Sequence, residues 1–189
     1  MTGSESPDAL IVIDIQRDYF PGGQMPLVDP ERAADRAGAV LASFRQAGRP
    51  VIHVHHEATG SGSTFLIAGT EGVEPWPTVK PSEGELIVIK HFPNAFRDTS
   101  LREILDRLGV GVIAMVGMMT HMCIDATARQ AADLGYRVWV AGDACATREL
   151  RHEGRSVPAP SVHAAFLAAL ASSYARVSDA DALIRGLSR

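Results

Sequence analysis

Three polar residues in this sequence combine side-chain types that together can carry out nucleophilic catalysis. Asp14 follows the apolar run ALIVI, Lys90 ends the run ELIVIK, and Cys123 lies directly before the helical pattern IDATARQAADLG. A cysteine thiolate is a strong nucleophile, a carboxylate can act as a general base, and an ammonium group stabilises a thiolate. This combination of residue types is typical of hydrolysis through a covalent intermediate.

Each of these residues also has a structural explanation when it is considered alone. Asp14 can cap or tighten the turn after a strand, Lys90 can extend past a strand into solvent, and Cys123 can be a small core residue. The position of Cys123 favours catalysis, because the positive end of a helix dipole and a nearby lysine both lower the pKa of a thiol. Backbone N–H groups at such a turn can also bind an oxyanion. Cys145 lacks this pattern, and we interpret it as a structural residue in a loop.

Alternating apolar runs and helical patterns predict how these residues are positioned. The alternation indicates βαβ units on a parallel sheet, and the continuous apolar runs are typical of strands that helices cover on both faces. We predict strands at residues 9–15, 50–55, 85–90, 110–117, 137–141 and 174–177, and helices at residues 30–47, 100–108, 124–134 and 161–172, with a short helix after residue 179. Because ligands bind at the carboxyl ends of strands in an open sheet, we expect Asp14, Lys90 and Cys123 to meet at three neighbouring strand ends.

Two long stretches interrupt the alternation of strands and helices. Residues 57–82 are rich in Gly, Ser, Thr and Pro, and residues 147–160 are polar with prolines at their end. We predict both as surface loops without regular structure. Long loops of this kind in a compact domain are often binding loops or lids.

Length, composition and charge restrict the classes of function. A chain of 189 residues with 46% hydrophobic and 21% charged residues is typical of one globular domain, here residues 1–189. A net charge of −4 provides no basic field for nucleic acid or an anionic membrane, so we expect a small-molecule partner. The polar start MTGSESPDA, the absence of a long apolar run and the two cysteines predict a cytoplasmic protein without a disulfide scaffold.

The motifs around the three residues resemble those of the isochorismatase-like cysteine hydrolases, a superfamily that includes nicotinamidases, N-carbamoylsarcosine amidases and isochorismatases. The resemblance runs nearly end to end and rests on LIVIDIQRDYFPGG, VIKHFPNAF and, most specifically, VGMMTHMCIDATARQAADLGYRV. It implies an α/β fold of three layers, α/β/α, in which a six-stranded, mainly parallel, Rossmann-like sheet carries the site.

The resemblance also implies a mechanism. Asp14, Lys90 and Cys123 would form a catalytic triad that cleaves a C–N bond of a small amide, ureido or imide compound through a thioester, without a cofactor. Asp14 would take the thiol proton and Lys90 would hold the other two residues in place. Backbone N–H groups of Met119 and Cys123 would form the oxyanion hole, with a cis peptide bond between Met118 and Met119.

One branch of the superfamily, the nicotinamidases, binds a divalent metal through an Asp-x-His pair and a further histidine. The corresponding stretch in this chain reads HVHHEATGSGSTF and lacks the aspartate. On a strand, His53 and His55 share one face and His56 lies on the other. We therefore predict no metal site, and we expect His55 and His56 either to line the substrate pocket or to be buried and hydrogen-bonded.

Other candidates for the substrate pocket follow the strands or precede the cysteine. Three phenylalanines would supply apolar walls, although core packing is the default role of that residue type. Thr120 and His121 lie close enough to Cys123 in sequence to face the substrate. The predicted substrate-binding residues are Phe20, His55, His56, Phe92, Phe96, Thr120 and His121.

Two other functions are compatible with the sequence. Isochorismatase-type cleavage of a vinyl ether needs the aspartate but no cysteine nucleophile, and a non-catalytic binding or scaffold protein needs none of the three residues. The presence of all three favours an enzyme, and the cysteine favours cleavage of a C–N bond. Because members of the superfamily commonly form dimers or tetramers, we expect a homo-oligomer that buries part of the apolar closing helix.

Overall fold

The apolar runs of the sequence form one parallel sheet in the computed structural model, which describes residues 6–60 and 62–187. The strands are β1 Ala9–Ile13, β2 Val51–His56, β3 Leu86–Lys90, β4 Val112–Met118, β5 Arg137–Ala146, β6 Leu150–His152, β7 Arg155–Val157 and β8 Ala175–Ser178. Within the described residues, six strands form a sheet in the order β3-β2-β1-β4-β5-β8, and every pairing is parallel. This confirms the predicted fold class. Residues 1–5, which form part of the polar start MTGSESPDA, lie outside the described residues.

Helices cover both faces of this sheet. They are α1 Pro30–Gln46, α2 Leu101–Arg107, α3 Asp125–Asp133, α4 Ala159–Ser173 and α5 Ala180–Leu187. Residues of α1 and α5 pack into one apolar core, and residues of α2, α3 and α4 pack into a second core on the opposite face. The three-layer α/β/α arrangement follows, because each helix buries one apolar stripe against the sheet. None of these described helices is long and apolar enough to cross a bilayer.

Helix α1 illustrates how the sequence determines an element. Its buried residues recur every three or four positions and face the sheet, which is the spacing of one helix face. They are Ala33, Ala34, Ala37, Val40, Leu41 and Phe44. Pro30 occupies the first turn, where a missing N–H costs nothing, and Gly48 follows the helix with φ of +63°.

Strand β3 lies at the edge of the sheet, and β2 separates it from β1. The expectation that Asp14, Lys90 and Cys123 follow three neighbouring strands was therefore wrong. The expectation of helices on both faces was also wrong for β3, since Ile87 is 52% exposed and Ile89 is 40% exposed. An edge strand has a paired neighbour on one side only, and here one of its faces is also open to solvent.

The two predicted loops contain regular structure. Residues 147–160 include an antiparallel hairpin in which β6 pairs with β7, with Glu153 and Gly154 at positive φ in the turn. Positive φ at both central residues is the geometry of a two-residue hairpin turn. Residues 57–82 include the short 3-10 helices Glu71–Val73 and Pro77–Val79. Cys145, which was expected in a loop, lies within β5.

Gly117 lies where β4 approaches β1 near the carboxyl end of the sheet. Its φ is +141°, and a Cβ atom at this position would overlap the carbonyl oxygen of Ile13. The pairing of β4 with β5 also shifts register between Met115 and Gly117. Only a residue without a side chain fits here.

Candidate active site

The carboxyl ends of β1, β3 and β4 bring Asp14, Lys90 and Cys123 into contact. Lys90 Nζ lies 2.7 Å from Asp14 Oδ2 and 3.3 Å from Cys123 Sγ. Asp14 and Lys90 are fully buried, and Cys123 is 5% exposed. An ammonium group therefore bridges a carboxylate and a thiol at a place almost free of solvent.

The backbone at Asp14 turns sharply where β1 ends. Its φ is +51°, in the left-handed region that few residues other than glycine adopt and that aspartate tolerates better than most. The N–H of Asp14 donates a hydrogen bond to the carbonyl of Val54 at 2.9 Å, so the residue remains attached to β2. Neither oxygen of Asp14 has a well-aligned hydrogen bond among the described residues, although Oδ2 forms an ion pair with Lys90 Nζ at 2.7 Å. Oδ1 is therefore available to accept a proton.

Cys123 lies in a single π-helical turn, Thr120–Ile124, that leads into α3. Such turns are frequent at functional sites. Met119 precedes the turn, and its peptide bond with Met118 is cis. The carbonyl of Met119 accepts hydrogen bonds from the N–H groups of Met122 at 3.1 Å and Ile124 at 3.3 Å. These bonds fix the backbone on both sides of the thiol.

His56, at the end of β2, is the third neighbour of the Lys90 ammonium. Its Nδ1 lies 3.1 Å from Lys90 Nζ. An ammonium group has three donors and no acceptor, so Nδ1 must accept and the ring proton must be on Nε2. Burial and the nearby Lys90 both lower the pKa of His56, which agrees with a neutral ring. His56 therefore presents an N–H donor on the side of the ring away from Lys90.

Gln16 anchors the backbone of His56. Its side-chain oxygen accepts from the N–H of His56 at 2.8 Å, and its amide nitrogen donates to the carbonyls of His56 at 2.9 Å and Val73 at 2.8 Å. Sequence reasoning did not identify this residue. Its place two residues after Asp14 in the run IDIQRDY is the signal that could have found it.

The charges around Cys123 act in opposite directions on its thiol. Burial raises the pKa of Cys123 and the negative charge of Asp14 raises it further, whereas Lys90 lowers it. The overall direction is upward, contrary to the sequence argument from the helix dipole. For Lys90, burial lowers the pKa, but Asp14 and Cys123 outweigh burial and raise it. Burial and the charge of Asp14 therefore disfavour a preformed thiolate at Cys123.

The other predicted pocket residues lie at varying places around this centre. His55 is mostly buried, and burial lowers its pKa while Asp14 and Glu74 act in the opposite direction. Each of the three phenylalanines has an aromatic or cationic neighbour. Phe20 stacks on Trp76 at 3.7 Å between ring centroids, Phe92 lies 3.6 Å from the guanidinium of Arg97, and Phe96 stacks on Tyr136 at 6.1 Å.

Thr120 and His121 make hydrogen bonds toward the end of β5 and toward α4. Thr120 is fully buried, and its hydroxyl donates to the carbonyl of Ala146 at 3.2 Å. His121 Nδ1 lies 2.6 Å from Thr147 Oγ1. Both side chains thus attach the turn that carries Cys123 to the neighbouring strand. His163 also contacts Thr120, and no sequence signal pointed to it.

The histidines of β2 are divided between two environments. His53 Nε2 lies 2.8 Å from Glu85 Oε2, whereas His56 contacts Lys90. In residues 6–60 and 62–187, no three His, Cys, Asp or Glu side chains are grouped so that they could hold a metal ion.

A cavity of about 460 Å³ lies beside the loop after β1, between that loop and residues 64–76. Arg17, Phe65 and Trp76 form part of its wall. The catalytic candidates do not line it. Because Trp76 stacks on Phe20, the wall of this cavity is continuous with the core beneath the loop.

The fold and the buried centre define an α/β protein with a reactive-residue cluster at the carboxyl edge of its sheet, and comparison with known proteins gives its family. The isochorismatase domain model matches residues 8–182. The isochorismatase family protein YddQ of Bacillus subtilis is 48% identical over 177 residues, which cover 94% of this chain and 98% of the relative. This chain therefore belongs to the isochorismatase family.

Two further relatives connect the chain to solved structures and to hydrolases. The crystal structure of an isochorismatase from Pseudomonas putida KT2440 superposes with a TM-score of 0.87 at 34% identity, covering 93% of this chain and 89% of that one. A streptothricin hydrolase of Streptomyces noursei is 35% identical over 142 residues, covering 75% of this chain and 50% of the relative. Membership of a family that includes hydrolases supports a hydrolase role for this chain.

Proposed function

We propose that this chain is a cysteine-dependent hydrolase that cleaves a C–N bond in a small amide, ureido or imide compound through a thioester. The observation that carries the proposal is the bridge from Lys90 Nζ to Asp14 Oδ2 at 2.7 Å and to Cys123 Sγ at 3.3 Å. A nucleophile, a proton acceptor and a cation that holds them are the parts required for acyl transfer.

The proposed reaction begins with proton transfer to the carboxylate. Asp14 accepts the thiol proton of Cys123 as the sulfur attacks the substrate carbonyl carbon, and the negative charge moves to the carbonyl oxygen. Backbone N–H groups of Met119 and Cys123 stabilise this oxyanion. The C–N bond then breaks as Asp14 returns the proton to the leaving nitrogen. A water molecule attacks the thioester, Asp14 takes its proton and passes it to the sulfur, and the acid product leaves.

The raised pKa of Cys123 fits this order of events. Burial and Asp14 both disfavour a resting thiolate, so the proton leaves the sulfur only when the substrate is in place. Lys90 then faces both the new thiolate and the protonated carboxyl group and stabilises the negative charge as it moves between them. Burial lowers the pKa of Lys90, but the charges of Asp14 and Cys123 outweigh burial and favour the ammonium form.

In the proposed reaction, His56 provides a polar contact for the substrate. Since its Nδ1 accepts from Lys90, its Nε2–H is the donor that remains. This donor recognises a carbonyl or another acceptor atom of the substrate. The residue is thus proposed as a binding group, along with the other predicted pocket residues.

The raised thiol pKa also favours one alternative, cleavage of a vinyl ether by Asp14 without attack by the sulfur. Such a reaction needs a carboxyl proton donor and leaves Cys123 unmodified. Intact-mass analysis separates the two reactions, since only the thioester route adds the acyl mass of the substrate to the protein.

The decisive experiment compares Cys123→Ala with Cys145→Ala on a panel of small amides, ureido compounds, imides and streptothricin. We expect Cys123→Ala to lose at least about 10⁴-fold in turnover, because the covalent route disappears. Cys145→Ala is the matched control, since it removes the other buried thiol of the chain. Wild-type turnover by Cys123→Ala on a substrate that the enzyme cleaves would refute the thioester mechanism.

We further propose that the chain acts in the cytoplasm as a homo-oligomer, a dimer or a tetramer. Two surfaces support self-association. Helix α4 is apolar around most of its circumference while much of it remains accessible, and β3 exposes Ile87 and Ile89 at the sheet edge. Exposed apolar patches of this kind are often covered by a second subunit.

A further inference from the structure

His163 of α4 contacts the turn that carries Cys123 through a single hydroxyl group. Its Nδ1 lies 2.9 Å from Thr120 Oγ1, and the same hydroxyl lies 3.2 Å from the carbonyl of Ala146. Thr120 is fully buried and directly follows Met119, one of the two residues assigned to the oxyanion hole. The side chain of Thr120 thus joins three elements: the turn after β4, the end of β5 and the first turns of α4.

The direction of these two hydrogen bonds depends on the tautomer of His163. A hydroxyl group has one proton, and the carbonyl of Ala146 can only accept. A His163 ring with its proton on Nδ1 donates it to Thr120 Oγ1, and a ring with its proton on Nε2 accepts the hydroxyl proton at Nδ1 instead. In both tautomers the contact joins His163 to the Thr120 hydroxyl at 2.9 Å.

His163 is partly buried between α4 and the end of β5. Burial lowers its pKa, and the backbone of Gly142 acts in the opposite direction. The ring borders a cavity of about 310 Å³ whose wall also includes Ala146, Thr147 and Ala159. A second contact joins the same two elements, since the His121 ring meets Phe166 of α4 edge-on with centroids 5.9 Å apart.

We infer that His163 is a positioning residue for the oxyanion hole: the hydrogen bond between its Nδ1 and the Thr120 hydroxyl fixes the backbone between Met119 and Cys123. The inference rests on the proposed cysteine hydrolase function. The oxyanion forms only after attack, so the contact matters for the transition state and not for the bound substrate. A loss of His163 should therefore lower kcat and leave KM nearly unchanged.

The test measures kcat and KM for His163→Ala, His163→Asn and Thr120→Val on a substrate that the wild type cleaves. Removal of an oxyanion donor costs about 10²- to 10³-fold in kcat, and loss of a residue that only positions it should cost about 10- to 100-fold. We expect His163→Ala to show this loss with KM within about threefold. The asparagine amide offers both a donor and an acceptor and can place either near the position of Nδ1, so His163→Asn should regain most of the activity.

The double variant His163→Ala/Thr120→Val tests whether the two residues act through one contact. We expect it to be no slower than the slower single variant, because each change removes the same hydrogen bond. His152→Ala is the matched control, since His152 is an exposed histidine of the hairpin. It should retain wild-type kcat and KM.

Three outcomes would overturn the inference: wild-type kcat for His163→Ala, a higher KM with unchanged kcat, or no recovery in His163→Asn. Cys123→Ala, assayed in parallel, separates this result from the proposed function. If Cys123→Ala is inactive while His163→Ala is fully active, the positioning role alone fails. If Cys123→Ala is fully active, the cysteine mechanism fails and the positioning role fails with it.

Discussion

Two clusters of charged side chains lie at opposite ends of β3, and each includes a histidine of β2. We call the first, formed by Arg45, His53, Ser82 and Glu85, the Glu85 cluster, and the second, formed by Asp14, His56, Lys90 and Cys123, the Lys90 cluster. In the Glu85 cluster, both carboxylate oxygens accept hydrogen bonds, from Arg45, from His53 and from the N–H of Ser82, at 2.7–2.8 Å.

The Lys90 cluster differs in the hydrogen-bonding capacity that it leaves free. Asp14 Oδ1 has no hydrogen-bond partner among the described residues, and Asp14 also has an unusual positive φ. A carboxylate whose oxygens are all occupied holds neighbouring elements together. A buried carboxylate with an unoccupied oxygen beside a thiol can accept a proton. The carboxylate of Glu85 is partly exposed and accepts hydrogen bonds at both oxygens, whereas that of Asp14 is fully buried and accepts none at Oδ1 from the described residues. Burial and the hydrogen bonds of the carboxylate together distinguish the structural cluster from the candidate catalytic one.

The largest effect that the comparison predicts is loss of activity in Asp14→Asn. An amide cannot take the thiol proton, so we expect turnover to fall by about 10²- to 10⁴-fold, the usual contribution of a general base. Asparagine also tolerates positive φ, so the backbone turn should persist. Steady-state kinetics measure the activity, and urea denaturation verifies the fold. Activity within about tenfold of wild type would show that Asp14 is not the proton acceptor.

A smaller effect, on stability alone, is predicted for Glu85→Gln. The change keeps the shape of the side chain but weakens the hydrogen bonds from Arg45 and His53 by removing the charge. We expect the free energy of unfolding at pH 7 to fall by about 1–2 kcal/mol, while turnover stays within about twofold. Urea denaturation and kinetic assays on the same preparation measure both. A large loss of turnover at normal stability would contradict the division between the two clusters.

The smallest predicted effect is the pH dependence of the stabilisation that the Glu85 carboxylate provides. The hydrogen bond from Arg45 is the main reason that the pKa of Glu85 falls from 4.5 to about 2, although burial opposes the shift. Because the folded pKa is depressed, the stabilisation is complete above about pH 4.5 and is lost as the pH falls toward 2. The difference in unfolding free energy between wild type and Glu85→Gln should therefore shrink over that range.

Urea midpoints of both proteins at pH 7, 4, 3 and 2.5 would measure this convergence. Subtracting one protein from the other removes the contributions of the remaining carboxylates, which both proteins share. A constant difference down to pH 2.5 would show that the charge of Glu85 does not stabilise the fold.

The sequence predicts the layers of the fold because the central strands and the helix faces are marked by apolar residues. It does not give the order of strands in the sheet. Strand β2 lies between β3 and β1, so Lys90 reaches Asp14 and Cys123 past the end of β2, where His56 lies. The hairpin β6–β7 was not predicted either. Its strands are short and mostly exposed, so no apolar alternation marks them.

For the site, the positions of Asp14, Lys90 and Cys123 relative to the apolar runs predicted that the three side chains meet, and they do so in the structure. The roles of Gln16 and His163 could not be read in this way, because their contacts join segments far apart in the chain. The pKa of Cys123 shows the limit of local reasoning. The helix position suggested a lowered value, but burial and Asp14, which depend on the folded structure, raise it.

The crowded backbone at Gly117 restricts how this part of the sequence can evolve. Every codon change that alters this residue adds a Cβ atom, and the carbonyl oxygen of Ile13 occupies the space that the atom would need. No single substitution at Ile13 relieves the overlap, because the obstacle is backbone rather than side chain. Functional variants, whether natural or selected from a mutant library, are therefore expected to retain glycine at position 117 and to differ at the neighbouring positions.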